Sequence, residues 1–418
     1  MIKIHNVLFG IFFVYATIFN PFNFGGINLL VVYLIPVLLI IILASNKFAS
    51  KQLLNKKNLS ILAFAAYYLF SSIMNIQAFR YSSILYSLDL IICYFLYIHL
   101  IRKNINIILY KKWLVIIITI FFIALIIQQL GIILGIPNFF NRLNSTNYQI
   151  QDNFIFSLNS LSTEPSYAAT IISVCLFSFL KIKSTELNFR YTFADFKSDG
   201  SIWFMYFYQL VFYRSVFGIL FFTLILFHLI NLRKIKNWVF LLLLFSAFML
   251  INVDFIALNR LRLILQGFDF TKIADLSQID HSGSIRVLPF YYYIMNFYPF
   301  NIHSYFGYGL DYGQNFLRTL IPGIEKDAPF GGLIPLLIFD SGLIGFLLLW
   351  RMILKLAVTC FFSIETLLLI FVMVNATLNT QLFWFALIVF SINRVVFSPL
   401  KIENEPNRHN LTNQAIRK

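Results

Sequence analysis

Charge is what this chain has least of. Only 12% of its 418 residues are Asp, Glu, Lys or Arg, against about 25% in soluble domains. A soluble protein made of many buried helices needs far more polar surface, so that class is excluded. Cysteine is scarce too. Cys93, Cys175 and Cys360 all sit inside apolar runs, which leaves neither a disulfide framework nor a thiolate metal cluster. The first apolar stretch, 8–18, has no small-residue cleavage site and is followed at once by another apolar run. It reads as a retained first helix, not a signal peptide. There is no internal repeat, low-complexity tract, DxD motif or His-rich segment. Nothing therefore predicts a metal, a nucleotide sugar or any other cofactor.

What is present is apolar and aromatic. Sixty per cent of the residues are hydrophobic, with 50 Phe and 22 Tyr, so the expected class is an all-α, polytopic integral membrane protein. Crossing a bilayer takes about 20 mostly apolar residues. Twelve candidate spans follow: 6–20, 27–45, 60–76, 82–100, 113–135, 164–180, 199–213, 215–231, 238–256, 331–350, 354–374 and 381–398. The chain is treated as a single membrane domain, 1–418, with a short cytoplasmic tail at 399–418. Twelve spans with both termini inside put most of the 32 basic residues on the cytoplasmic side, including the clusters at 47–57, 102–112, 181–197 and 233–236. A single long helix over 201–230 would place Arg233, Lys234 and Lys236 outside, against the positive-inside rule. Two helices split at 213/215 are therefore expected.

That topology leaves one long exoplasmic loop, 257–330, before the last three spans. It holds most of the candidate polar chemistry: Arg260, Arg262, Asp280, His281, Arg286, His303, Asp311, Arg318 and Asp327. Two further candidates lie at the same membrane face. Glu164 opens the sixth span beside Pro165, where a carboxylate suits a helix N-terminus and Thr163 is placed to cap it. Arg214 stands between two spans, where its forked donors match phosphate oxygens and where snorkelling to headgroups is the plainer alternative. Arg286 is expected after a Gly-bearing turn, HSGSIR. Asp340 heads a small-residue face, with Gly342 and Gly345, suited to close helix packing. Asp89 and His228 are expected as packed, neutral groups. The aromatic run from Tyr291 to Phe300 fits either an interfacial belt or a surface on which sugar rings stack. A cationic pocket open sideways to lipid suits an anionic, lipid-linked substrate. Transporter charges instead line a path near mid-membrane at repeat interfaces.

Five stretches carry a resemblance: TEPSYAA at 163–169, YRSVFGILF at 213–221, SGSIRV at 282–287, SYFGYGL at 304–310 and GGLIPLLIFDSGLIGFLLL at 331–349. In order and spacing the chain resembles the bacterial polysaccharide polymerase (Wzy-like) and O-antigen ligase superfamily, over nearly its whole length. The resemblance implies a GT-C-like inner-membrane glycosyltransferase with its site facing the periplasm. It would take an undecaprenyl-pyrophosphate-linked oligosaccharide as donor and use neither metal nor nucleotide. Arg286, Arg214 and Glu164 would be catalytic. Arg260, Arg262, His281, His303, Tyr308, Arg318, Asp327 and Asp340 would contact substrate. A chain-length regulator and a flippase are the implied partners. The chain departs from the family at Tyr213, where serine is usual, and at Gly331 and Gly332, where ligases carry histidine and asparagine. The missing histidine favours a repeat-unit polymerase over a ligase. A lipid-linked oligosaccharide flippase is the alternative from another class.

Overall fold

The structure is a computed structural model that describes residues 4–17, 22–24, 27–29, 58–73, 80–136, 158–186, 191, 193–229, 281–320 and 332–397. These residues are almost entirely helical. The exception is one short antiparallel pair, β1 (Phe22–Phe24) and β2 (Ile27–Leu29), in register Phe22↔Leu29. The helices are α1 (Ile4–Thr17), α2 (Leu59–Ile73), α3 (Tyr81–Asn104), α4 (Ile107–Ile133), α5 (Pro165–Glu186), α6 (Gly200–Tyr213) and α7 (Val216–Leu229). They continue with α8 (His281–Met295), α9 (Ile302–Phe306), α10 (Tyr312–Leu320), α11 (Leu333–Leu356), α12 (Ile364–Asn375) and α13 (Gln381–Phe397). Long apolar runs take this form because a helix satisfies its backbone groups internally, which hydrocarbon demands. Where the helices start, local chemistry helps. Asn106 accepts from the Leu109 amide at the head of α4, and Ser363 accepts from the Thr366 amide at the head of α12.

Among the described residues, Tyr81–Leu100 of α3, α4, α5 and α11 are long and apolar enough to cross a membrane. The protein is membrane-embedded. At its centre lie α5, buried from Ala168 to Leu180, and α13, buried from Leu382 to Asn393. A helix that is apolar all round belongs in such an interior. The two are joined by an Asn393 Nδ2 donation to Ser178 Oγ at 2.9 Å. By contrast, α4 turns Ile116, Ile123, Ile127 and Leu130 outward, the surface expected to face lipid.

The split between α6 and α7 is real. Arg214 adopts a left-handed conformation (φ 49°) and its amide closes the end of α6 on the Leu210 carbonyl. Phe207 and Phe222 then meet with ring centroids 5.2 Å apart, and Gly218 packs on Leu210. In one continuous helix Phe207 and Phe222 would be about 22 Å apart. The two helices form an antiparallel hairpin with Arg214 at its tip.

Three expectations need correction. Residues 27–29 of the expected span 27–45 form a strand, and the rest of that span lies outside the described residues. The span expected at 354–374 starts later, because α11 runs on to Leu356 and a turn occupies 357–363. The Gly-bearing turn ahead of Arg286 is instead the first turn of α8. The span 238–256 and the tail from 398 onward lie outside the described residues.

The fold is tied together differently at its two ends. At one, α4, α5 and α12 are joined by Lys111–Glu186 (2.5 Å) and Lys181–Glu365, with Lys183–Asp199 (2.9 Å) alongside. At the other, the starts of α5, α7 and α11 meet the ends of α6 and α12, and α8 packs among them. The candidate chemistry is at this second end.

Candidate functional site

Glu164 is the residue from which α5 starts. Its carbonyl accepts from the amides of Tyr167 and Ala168, while Pro165 takes the first helical position. The cap position is therefore Glu164 itself, one residue later than the expected Thr163. Its carboxylate receives Ser166 Oγ at 3.0 Å and Arg286 Nη2 at 2.6 Å. Arg286 comes from α8 and is buried (5% exposed), whereas the Glu164 side chain is 40% exposed. This ion pair spans 122 residues of sequence.

Two further groups hold the guanidinium. Its Nε donates to Asn375 Oδ1 at 3.0 Å, and its carbon centre lies 5.5 Å from the centroid of the Phe217 ring. The Asn375 amide is oriented in turn, because its Nδ2 donates to Thr170 Oγ1 at 3.2 Å. Arg286 is thus fixed by side chains from α5, α7 and α12. It presents a rigid cation at the mouth of the helix ends.

Arg214 stands one helical turn before Phe217, at the hairpin tip. It is half-buried and makes no side-chain hydrogen bond or ion pair among the described residues. Desolvation alone lowers its pKa from the usual arginine value. A guanidinium that has lost water without gaining a counter-charge favours an anion beside it.

Asp340, His303 and Tyr308 form a second group, around a break in α11. Gly342 there has φ 68° and ψ −178°, which are not helical values. A helix break strips the preceding carbonyls of their partners, and here each finds another. Phe339 O accepts from the Tyr308 amide. Asp340 O accepts from the Gly309 amide and Ser71 Oγ, and Ser341 O from Tyr67 Oη. The Asp340 carboxylate takes the amides of Asp311 (3.2 Å) and Gly313 (2.8 Å). Asp311 in turn accepts from the Arg80 amide at 2.7 Å and Ser83 Oγ at 2.9 Å, capping α3 from another segment. His303, Tyr308, Tyr312 and Phe316 stack in one ladder with centroid spacings of 4.7, 4.3 and 5.6 Å. Arg318 lies half-buried in the last turn of α10. A small cavity of about 40 Å³ with mixed polar and apolar walls opens beside this junction, lined by Ser83, Asp311, Asp340, Asn379, Leu310 and Leu337 among others.

The structure therefore brings Glu164 and Arg286 together, with Arg214 a turn from Phe217. It sets His303, Tyr308 and Asp340 apart in a junction whose polar groups are largely spent on backbone. His281 begins α8. Arg260, Arg262 and Asp327 lie outside the described residues. No group of His, Cys, Asp and Glu among the described residues could hold a metal ion. Asn375 and Ser166 are the site residues that sequence reasoning missed. Ser166 lay inside the TEPSYAA run, and Asn375 was an isolated amide at the end of an apolar helix.

Fold and site together define a membrane-embedded helical protein with a cluster of arginine side chains at one end of its helices. Comparison with known proteins adds no name to that class: no family model, no curated protein and no solved structure matches this chain.

Proposed function

We propose that this protein is a polysaccharide repeat-unit polymerase of the bacterial inner membrane. It would transfer an undecaprenyl-pyrophosphate-linked glycan onto the non-reducing end of another lipid-linked unit. The reading rests on the five motif resemblances and on one observation: two guanidinium groups from separate segments gather at one end of the helices, one rigidly held and one desolvated with no ion pair among the described residues. In this reading twelve spans cross the membrane with both termini cytoplasmic. The lysine-rich end faces the cytoplasm, and the arginine end faces the periplasm.

The chemistry follows from charge. As the acceptor hydroxyl attacks the anomeric carbon, the sugar–oxygen bond breaks, negative charge grows on the departing pyrophosphate, and the hydroxyl proton passes to that pyrophosphate or to solvent. Arg214 and Arg286 are aimed at that charge. Glu164, bonded to Arg286, acts in this scheme as a positioning group and not as the base. The ligase alternative is disfavoured because Gly331 and Gly332 stand where ligases carry histidine and asparagine.

A deletion strain tests the proposal. Loss of long chains, with single repeat units still attached to their final acceptor, supports a polymerase. Intact polymer retained on undecaprenyl pyrophosphate would mean a ligase. Lipid-linked units trapped on the cytoplasmic leaflet would mean a flippase.

A further inference from the structure

The segment between Arg286 and Asp311 packs along the first half of α11. Its path can be followed against the first part of α11, from Leu333 to the break at Gly342. The Arg286 carbonyl lies by Gly332, at the head of α11. Tyr293 meets Phe339 edge-on, with centroids 5.6 Å apart. Residue 286 pairs with 332 and 293 with 339, so α8 runs parallel to α11 and in step with it. From Arg286 to Tyr293 the chain has descended about 10 Å along the axis.

The next element lies deeper. A Cβ on Gly342 would sit 2.2 Å from the Tyr305 carbonyl oxygen, so α9 is level with a point about 14 Å into α11. An independent helix agrees, since Tyr67 Oη, in the interior of α2, reaches the Phe306 carbonyl at 3.3 Å. The chain then climbs. Tyr308 and Gly309 bond the carbonyls of Phe339 and Asp340, and Asp311 reaches the Arg80 amide at the head of α3.

Two further facts fit this path. No Asp, Glu, Lys or Arg occurs from Val287 to Leu310. At the deep part of the path the outward side chains are mostly apolar: Ile294, Met295, Tyr298, Phe300, Ile302 and Tyr305 are exposed, Phe300 fully at 104%, and the one exposed imidazole, His303, is hydrogen-bonded to the Gly307 carbonyl. The surface continues onto Leu69, Phe70 and Ile73, exposed on the neighbouring α2. The non-helical backbone at 307–309 bonds α11 and so needs no water, the condition under which irregular chain is tolerated at membrane depth.

We infer that residues 287–310 form a re-entrant hairpin sunk into the leaflet at the head of α11, with its outward face against lipid acyl chains. The inference stands on the membrane class of the protein and is independent of the enzymatic reading.

Nitroxide labelling of the full-length protein, reconstituted in phosphatidylethanolamine–phosphatidylglycerol vesicles, tests it. Labels go on Phe300→Cys, Ile302→Cys and Tyr305→Cys in a Cys360→Ser background, with the exposed α10 residue Asn315→Cys as the water-facing reference. At the three hairpin positions the ratio of oxygen to nickel-chelate collision rates should be several times that at Asn315. Ratios equal to the Asn315 value would overturn the inference. Low collision rates for both reagents would also overturn it, because the face would then be covered by a second copy and not by lipid. Phe300 packs against so little that its substitution reads out even if Tyr305→Cys fails to fold.

Discussion

The two ends of this protein treat their cations in opposite ways. At the lysine-rich end, Lys111, Lys181 and Lys183 each meet a carboxylate, and Arg394 donates to the Leu354 and Val358 carbonyls at the foot of α11. At the arginine end, Arg286 is clamped by an amide and a half-exposed carboxylate, and Arg214 makes no ion pair among the described residues. Lysine is a compact point charge, while arginine is a planar fork that matches phosphate oxygens. The first end spends its charge on joining helices. The second holds Arg286 in place and leaves Arg214 without an ion pair among the described residues, an arrangement that suits anion recognition.

The harshest way to break this comparison disturbs both ends at once. Gly342→Ala would put a Cβ 2.2 Å from the Tyr305 carbonyl oxygen in a left-handed backbone region. We expect loss of folded protein from the membrane, read by detergent-solubilised size-exclusion profiles, whereas Gly10→Ala, with open space around it, should leave the profile unchanged.

Next in size are the arginines. Arg286→Lys and Arg214→Lys keep the charge but lose the fork. Polymer formed per unit of membrane protein should fall roughly 10²–10³-fold, the scale of losing one donor to developing charge. Normal chain lengths in both variants would refute the pyrophosphate-holding role.

A smaller effect is expected at Glu164→Gln, which leaves Asn375 and Ser166 on Arg286. Activity should drop by about tenfold, an orientation penalty well below that of deleting the cation. Because the carboxylate is half-exposed while Arg286 is buried, thermal stability should fall by about 1–3 kcal/mol. A drop as large as that of Arg286→Lys would make Glu164 a reacting group.

The smallest functional effect belongs to the other end. Asp199→Asn breaks the pair with Lys183 but can still accept from Tyr191 Oη. It should cost about 1–3 kcal/mol in thermal unfolding, as for a disrupted buried polar network, with no change in activity per folded molecule.

Much of the fold was legible in the sequence because lipid imposes one rule on every span. The helix pair split at Arg214 followed from the charge at 233–236, and the left-handed Arg214 with the Phe207–Phe222 contact agrees. The Glu164 and Arg286 segments were singled out separately by the resemblance, but nothing local says that they touch. Asn375 was harder still, since an amide at a helix end reads as a cap until a guanidinium is seen against it. Asp340 was legible as part of a small-residue face, yet its carboxylate proves to hold the amides of Asp311 and Gly313.

Apolar periodicity and the scarcity of charge by themselves determined that this chain is membrane-embedded and helical, because burial of backbone in hydrocarbon permits little else. Only the tertiary structure decided which cation is clamped and which makes no ion pair among the described residues, where α11 breaks, and that the chain after Arg286 runs down alongside α11. Those features depend on contacts between segments far apart in sequence, from Tyr293–Phe339 to Glu164–Arg286, or on backbone carbonyls freed at Gly342. A linear pattern carries no record of either.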